Sequence, residues 1–65
     1  MNDYKVLFSY KKDGKRIQEE DTLAAHSAQH AADKVRKEYS DLPNLRIEAV
    51  FIDCGRFWGA CDLWD

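Results

Sequence analysis

Four side chains in this sequence are of the types that hold zinc: His26, His30, Cys54 and Cys61. Structural zinc sites usually take cysteines that lie two to four residues apart, because one tight turn then supplies two thiolates. Cys54 and Cys61 are farther apart than that, and both histidines lie far upstream in the chain. The spacing therefore predicts no metal site.

The two cysteines leave two states open. A disulfide would close a short loop if Cys54 and Cys61 face each other across a hairpin. In a reducing cytoplasm both would be free thiols. Asp3 and Lys5 interrupt any apolar core of a signal peptide, so the sequence favours a cytoplasmic protein with free thiols.

A possible nucleophile, base and acid lie close together in the sequence: Ser27, His30 and Asp33. Neighbours of this spacing on the solvent face of a helix cannot enclose a substrate. The chain has no glycine-rich phosphate loop and is too short to surround a pocket that excludes water. We therefore expect a binding protein without a cofactor, and not an enzyme.

A basic cluster surrounds the segment Asp13-Gly14, and it is formed by Lys11, Lys12, Lys15 and Arg16. Such a cluster could contact phosphates or an acidic protein surface. The net charge of −2 gives no general attraction for nucleic acid. Sheet proteins that read single-stranded RNA also need aromatic side chains on an open face. Nucleic-acid binding is therefore the alternative, not the first reading.

The elements that position these residues begin with a β-hairpin. Residues 4–11 alternate apolar and polar side chains, Asp13-Gly14 is a tight hairpin turn, and residues 16–25 return as a second strand. Ile17, Leu23 and Ala25 should point inward in that strand. Glu19 and Asp21 share their parity, which predicts an edge strand that either twists off the core or contains a bulge.

A helix and a third strand follow. Ser27 is a suitable N-cap, and apolar residues at 28, 31, 32, 35 and 39 form a helical stripe. Pro43 should end the helix near Ser40 or Asp41. Residues 45–53 form the third strand, and simple alternation divides its side chains between the two faces of the sheet. The side chains that should point at the core are Leu45, Ile47, Ala49 and Phe51. Those that should point away from it are Arg46, Glu48, Val50 and Ile52.

The sequence thus predicts that residues 1–65 form one α+β domain. It consists of an antiparallel three- to four-stranded sheet, with its first three strands in the spatial order 2-1-3, and one helix on one face. The tail either adds a fourth strand at 58–64 beside the third, or folds across the uncovered face. With 34% charged and 45% hydrophobic residues and no long apolar run, the composition is that of neither a disordered chain nor a membrane protein.

We expect the uncovered face, the tail and the basic turn to carry the contacts. The candidate partner-binding residues are Leu7, Lys11, Lys12, Lys15, Arg16, Val50, Ile52, Phe57, Trp58 and Trp64. A single helix leaves the other side of the sheet without a cover, and an apolar centre within a charged rim is typical of an interaction patch. The chain should act as a monomer or as a homodimer that pairs its sheet edges.

The hairpin, the "HSAQHAADKVRKEY" helix and the "LRIEAVFID" strand resemble small proteins of phages and mobile elements, in particular type I anti-CRISPR proteins. The likeness covers the whole layout and transfers no individual functional residue. It implies a stoichiometric inhibitor that binds a CRISPR effector complex in the cytoplasm of a bacterial host. A nucleic-acid-binding module and a structural homodimer are the alternatives.

Overall fold

The chain forms one antiparallel sheet and one helix in a computed structural model that describes residues 1–61. The elements are β1 (Asn2–Lys12), β2 (Lys15–Ala25), α1 (Ala28–Glu38), β3 (Arg46–Asp53) and β4 (Trp58–Cys61). The strand order is β2-β1-β3-β4, which confirms the predicted order 2-1-3 and, of the two alternatives for the tail, the fourth strand beside β3. Within residues 1–61 no helix is long and apolar enough to cross a membrane.

The β1–β2 hairpin is regular from end to end. Asp13 and Gly14 both have positive φ, 53° and 78°, which is the conformation of a type I′ turn. Pairing continues without a shift from Lys12 opposite Lys15 to Asn2 opposite Ala25, so no bulge is present in β2. Glu19 and Asp21 therefore do lie on the helix side, at an outer strand that the helix leaves partly open.

Helix α1 has a reciprocal cap at its start. The Ser27 hydroxyl accepts a hydrogen bond from the His30 N–H at 3.1 Å, and Nδ1 of His30 accepts one from the His26 N–H at 3.1 Å. The helix ends at Glu38, earlier than predicted. Tyr39 leaves helical geometry at the C-cap, and its ring stacks on Phe8 with centroids 4.9 Å apart.

The core lies between β1, β3 and the helix. Its buried apolar residues are Tyr4, Val6, Phe8, Ala25, Ala31, Ala32, Val35 and Val50. Two alanines on the buried stripe keep the helix close to the sheet, so larger side chains of β1 fill the space. The face that α1 covers is called the helix face below, and the opposite one is called the open face.

A β-bulge in β3 overturns one prediction. Leu7 pairs with Ala49 while Phe8 pairs with Ile47, so Glu48 is an extra residue without a partner on β1. Beyond the bulge, the even-numbered residues of β3 face the core and the odd-numbered ones face the open side, the reverse of the predicted alternation. The placement of Val50 and Ile52 on the open face is therefore wrong: Val50 is 1% exposed in the core, and Ile52 packs against it.

The same bulge moves two other residues in the opposite direction. Ala49 and Phe51 were expected to face the core, yet they pair with Leu7 and Lys5 on the open face. Ile47 precedes the bulge and packs on the core as predicted. The apolar centre of the open face therefore consists of Leu7, Ala49 and Phe51, and not of Leu7, Val50 and Ile52.

Candidate functional site

The open face carries an aromatic pair held around a lysine. Phe51 lies opposite Lys5 on the neighbouring strand, and Trp58 follows on β4 opposite Asp53. Lys5 Nζ lies 5.6 Å from the centroid of the Phe51 ring and 5.1 Å from that of the Trp58 ring. Both distances are in the range of cation–π attraction. Trp58 remains 37% exposed, so a partner can still reach its ring.

A polar bridge occupies the middle of the same face. The Ser9 side chain is fully buried, donates to Glu48 Oε1 at 2.5 Å and accepts from Arg16 Nη1 at 2.8 Å. Arg16 Nη1 also donates to the Asn44 carbonyl at 3.3 Å. The bridge thus joins β2, β1 and β3 on the open face, with the buried Ser9 hydroxyl at its centre. Arg16, expected as a free contact, is held by two partners within the fold.

Sequence reasoning missed this bridge. The parity of β1 indicated that Ser9 faces away from the core, but nothing in the local pattern marked Glu48 as the extra residue of a bulge. A bulge re-aims the side chains around it. Here it brings the carboxylate of Glu48 over Ser9, across a sequence separation of 39 residues.

A shallow groove of about 370 Å³ runs beside the bridge. Leu7 forms its apolar floor, while Gln18, Glu20 and Glu48 line it with Phe8 and Glu19. The groove is partly open to solvent and therefore does not exclude water from a reaction. Its chemistry suits a protruding side chain of a partner, with an apolar stem and a group that donates hydrogen bonds to carboxylates.

The basic turn lies at the end of the sheet away from Trp58. Lys11, Lys12 and Lys15 are exposed there. The Lys11 N–H donates to the Pro43 carbonyl at 2.9 Å, which ties the loop after the helix to β1. The three lysine side chains around the turn are thus open to contact with a partner.

The remaining predicted partner-binding residues that the structure describes lie on both faces of the sheet. Phe57 is 66% exposed in the β3–β4 connection, and Trp58 lies on the open face. A Cβ at Gly59 would lie 3.8 Å from Phe57 Cε2 and 3.6 Å from Ile52, which places the Phe57 ring on the helix side of β4. Trp64 lies outside the described residues.

The histidines and cysteines do not come together. Cys61 pairs with Val50, four residues from Cys54 along β3, so the two cysteines are separated by about 13 Å, too far for a disulfide. Both are free thiols. His26 and His30 stack on each other at 5.3 Å at the start of α1. No group of three or more metal-binding side chains forms within residues 1–61.

On the helix face, carboxylates line the outer strand. The Tyr39 hydroxyl donates to Asp21 Oδ2 at 3.3 Å. Burial and the nearby carboxylates of Asp21 and Glu38 raise the pKa of Tyr39 above its ordinary value of 10.0. The neutral phenol is favoured here because a phenolate would face negative charge. This arrangement gives the Asp21 carboxylate a hydrogen-bond donor, while Glu19 and Glu20 remain exposed along the β2 edge.

Comparison of the chain with protein-family models, with curated proteins and with solved structures finds no match. The open face must therefore be interpreted from its own residues and geometry.

Proposed function

We propose that this protein acts by binding a protein partner through the open face, without catalysing a reaction. The observation that carries the proposal is the apolar strip of Leu7, Phe51 and Trp58 on a sheet face that α1 does not cover. Interaction patches combine such apolar centres with polar rims. Aromatic residues, Trp and Tyr above all, supply much of the binding energy at protein interfaces.

The charge pattern supports a protein partner over a polyanion. Within residues 1–61, four basic side chains share the open face with four acidic ones: Lys5, Lys11, Arg16 and Arg46, and Asp3, Glu20, Glu48 and Asp53. The face is therefore neutral overall, with charges of both signs around the apolar strip. This mixture favours a partner surface with its own mixed charges, because electrostatic complementarity between proteins sets register and specificity.

The resemblance to type I anti-CRISPR proteins supplies the first partner class to test. In this version a phage or mobile element encodes the protein, which binds a CRISPR effector complex stoichiometrically in the bacterial cytoplasm and blocks its contact with target DNA. The experiment titrates the protein into purified type I effector complexes and measures target-DNA binding by fluorescence anisotropy. We expect DNA binding to fall to zero near equimolar protein.

Variants locate the contact. Trp58→Ala removes an exposed ring from the open face and should weaken inhibition by roughly thirtyfold, the size of an interface hot spot. Leu7→Glu should have a similar effect by placing a further carboxylate in the groove. Lys37→Ala on the exposed side of α1 is the matched control and should inhibit as the wild type does.

Two outcomes would contradict the proposal at different levels. Full inhibition by Trp58→Ala and Leu7→Glu would place the contact elsewhere on the molecule. No binding to any type I complex, together with no effect on phage plaquing, would remove the anti-CRISPR version.

A second candidate function follows from Phe51 and Trp58, which share the open face with Lys5. Single-stranded nucleic acids bind sheets by stacking bases on such rings, and the lysines of the basic turn could contact phosphates. Anisotropy of labelled oligothymidine and oligouridine at low salt tests this. Binding should weaken steeply with salt and should drop in Phe51→Ala. Unchanged anisotropy at low salt would end this candidate.

A further inference from the structure

The two outer edges of the sheet differ in their protection against strand pairing. Among the eleven residues of β2 are Lys15, Arg16 and the run Glu19-Glu20-Asp21, with carboxylates on both faces. β4 has the sequence Trp58-Gly59-Ala60-Cys61, without charge or proline. Edge strands normally carry such charges because unpaired backbone groups recruit other strands. The outer edge of β4 has no such device in the described residues.

Backbone geometry shows which groups this edge offers. The Cys54 N–H donates to the Phe57 carbonyl at 2.9 Å, so these residues form a hydrogen-bonded pair. Hydrogen-bonded and non-hydrogen-bonded pairs alternate along an antiparallel ladder. Gly59 and Cys61 therefore direct their N–H and C=O groups at β3. Trp58 and Ala60 direct theirs outward, where no strand of residues 1–61 receives them.

We propose that β4 is a homodimerisation edge, and that a second copy of this chain pairs its own β4 antiparallel to the first. The two-fold axis passes between the two Gly59 residues, so Trp58 of each copy lies opposite Ala60 of the other. Each of these two pairs exchanges two hydrogen bonds. All four outward groups of each copy are then satisfied, and the sheet becomes an eight-stranded one.

Three features of β4 fit this register. The non-hydrogen-bonded pair, whose Cα atoms approach most closely, consists of glycines that have no side chain to collide. The small Ala60 accommodates the indole of the partner's Trp58. The two indoles lie diagonally across the axis, within the reach of aromatic side chains.

Dimerisation also covers the exposed aromatic residues. Phe57, Trp58 and Met1 are the exposed large hydrophobic residues of the described part of the chain, and two of them flank this edge. On the open face, Phe51 lies opposite Ala60 and thus next to the partner's Trp58. On the helix face, Phe57 lies opposite the partner's Cys61. Helix α1 packs on β1, β2 and β3, which leaves space there.

This inference does not rest on the proposed function. If both hold, two open faces join into one continuous surface with a central strip of four aromatic rings. The contact is small, so the dimer should form at roughly micromolar to millimolar concentration, as transient interfaces do.

The test is sedimentation equilibrium of the full chain over that concentration range. We expect the mass to rise from the 7.6 kDa of one chain to twice that value. Ala60→Pro removes an outward N–H and no bond within the monomer, and Ala60→Glu adds a charge of the kind that protects β2. Each should raise the dissociation constant at least roughly tenfold.

Thr22→Pro is the matched control. Lys12 pairs with Lys15 across the two-residue turn, and alternation from that pair directs the Thr22 N–H outward on β2. The Lys34 ammonium donates to the Ala24 carbonyl at 2.8 Å on this same edge, in agreement. This variant should dimerise as the wild type does. Circular dichroism establishes that each variant is folded.

A wild-type mass of one chain at every concentration would overturn the inference. So would a dimer that survives both Ala60 variants, or one that Thr22→Pro abolishes. If both Ala60 variants unfold, amide exchange of the wild type decides instead. Protection of the Trp58 and Ala60 amides must rise with concentration, and protection that stays constant contradicts the pairing.

Discussion

The two faces of the sheet use similar residues for opposite purposes. Phe8 and Leu7 are neighbours on β1, yet Phe8 is 3% exposed beneath Tyr39 while Leu7 forms the floor of an open groove. The side chains alone do not make this difference. The helix covers one face and leaves the other, so burial stabilises the fold on one side and leaves apolar area for a partner on the other.

The largest expected effect comes from truncating these two neighbours. Phe8→Ala should lower the free energy of unfolding by about 3–5 kcal/mol, because it leaves a cavity under the helix. Leu7→Ala should lower it by less than about 1 kcal/mol, because the groove floor is already in contact with water. Urea denaturation followed by circular dichroism measures both. Equal losses would mean that the open face is as closely packed as the core.

Deletion of Glu48 tests whether the bulge determines which residues of β3 face the core. The remaining residues of β3 can keep their partners on β1, with Ile47 opposite Phe8 and Ala49 opposite Leu7. The variant loses the Ser9 hydrogen bond and should be about 1–2 kcal/mol less stable, with Val50 still buried. Cross-strand amide contacts in NMR spectra report the register. A shifted register would show that the bulge itself is needed to hold Val50 in the core.

Tyr39→Phe tests the acidic margin of the helix face. The folded-state pKa of Tyr39 lies above the unfolded value, so its contribution to stability is present below pH 10 and is lost as pH rises through the folded pKa. The variant should lose about 0.5–1 kcal/mol near neutral pH, from the missing hydrogen bond to Asp21. At alkaline pH, its free energy of unfolding should then fall less steeply with pH than that of the wild type. Parallel pH profiles would contradict this account of Tyr39.

The smallest effect is expected on the open face. Lys5→Met removes the cation between the rings of Phe51 and Trp58, and it should cost about 0.5 kcal/mol, the value for an exposed cation–π pair. Lys12→Met in the turn is the control and should leave the free energy of unfolding unchanged. A loss in Lys5→Met as large as that in Phe8→Ala would remove the distinction between the faces.

Much of the fold follows from local sequence. Asp13-Gly14 predicts the hairpin because its two residues tolerate positive φ, and Ser27 predicts the helix start because its hydroxyl can accept from a free amide. The candidate site was harder to predict. Its polar bridge joins Ser9, Arg16 and Glu48, which come from three strands, and strict alternation placed Phe51 on the wrong side.

The sequence by itself determined the order of the first three strands and the helix, the strand that lies at the acidic edge, and the single helix that leaves one face open. These depend on periodicity, capping and turn conformation within a few residues. Only the tertiary structure decided which residues of β3 beyond the bulge face the helix. A bulge is a mismatch between two strands, so the parity of β3 depends on how it pairs with β1 and cannot be read from β3 alone.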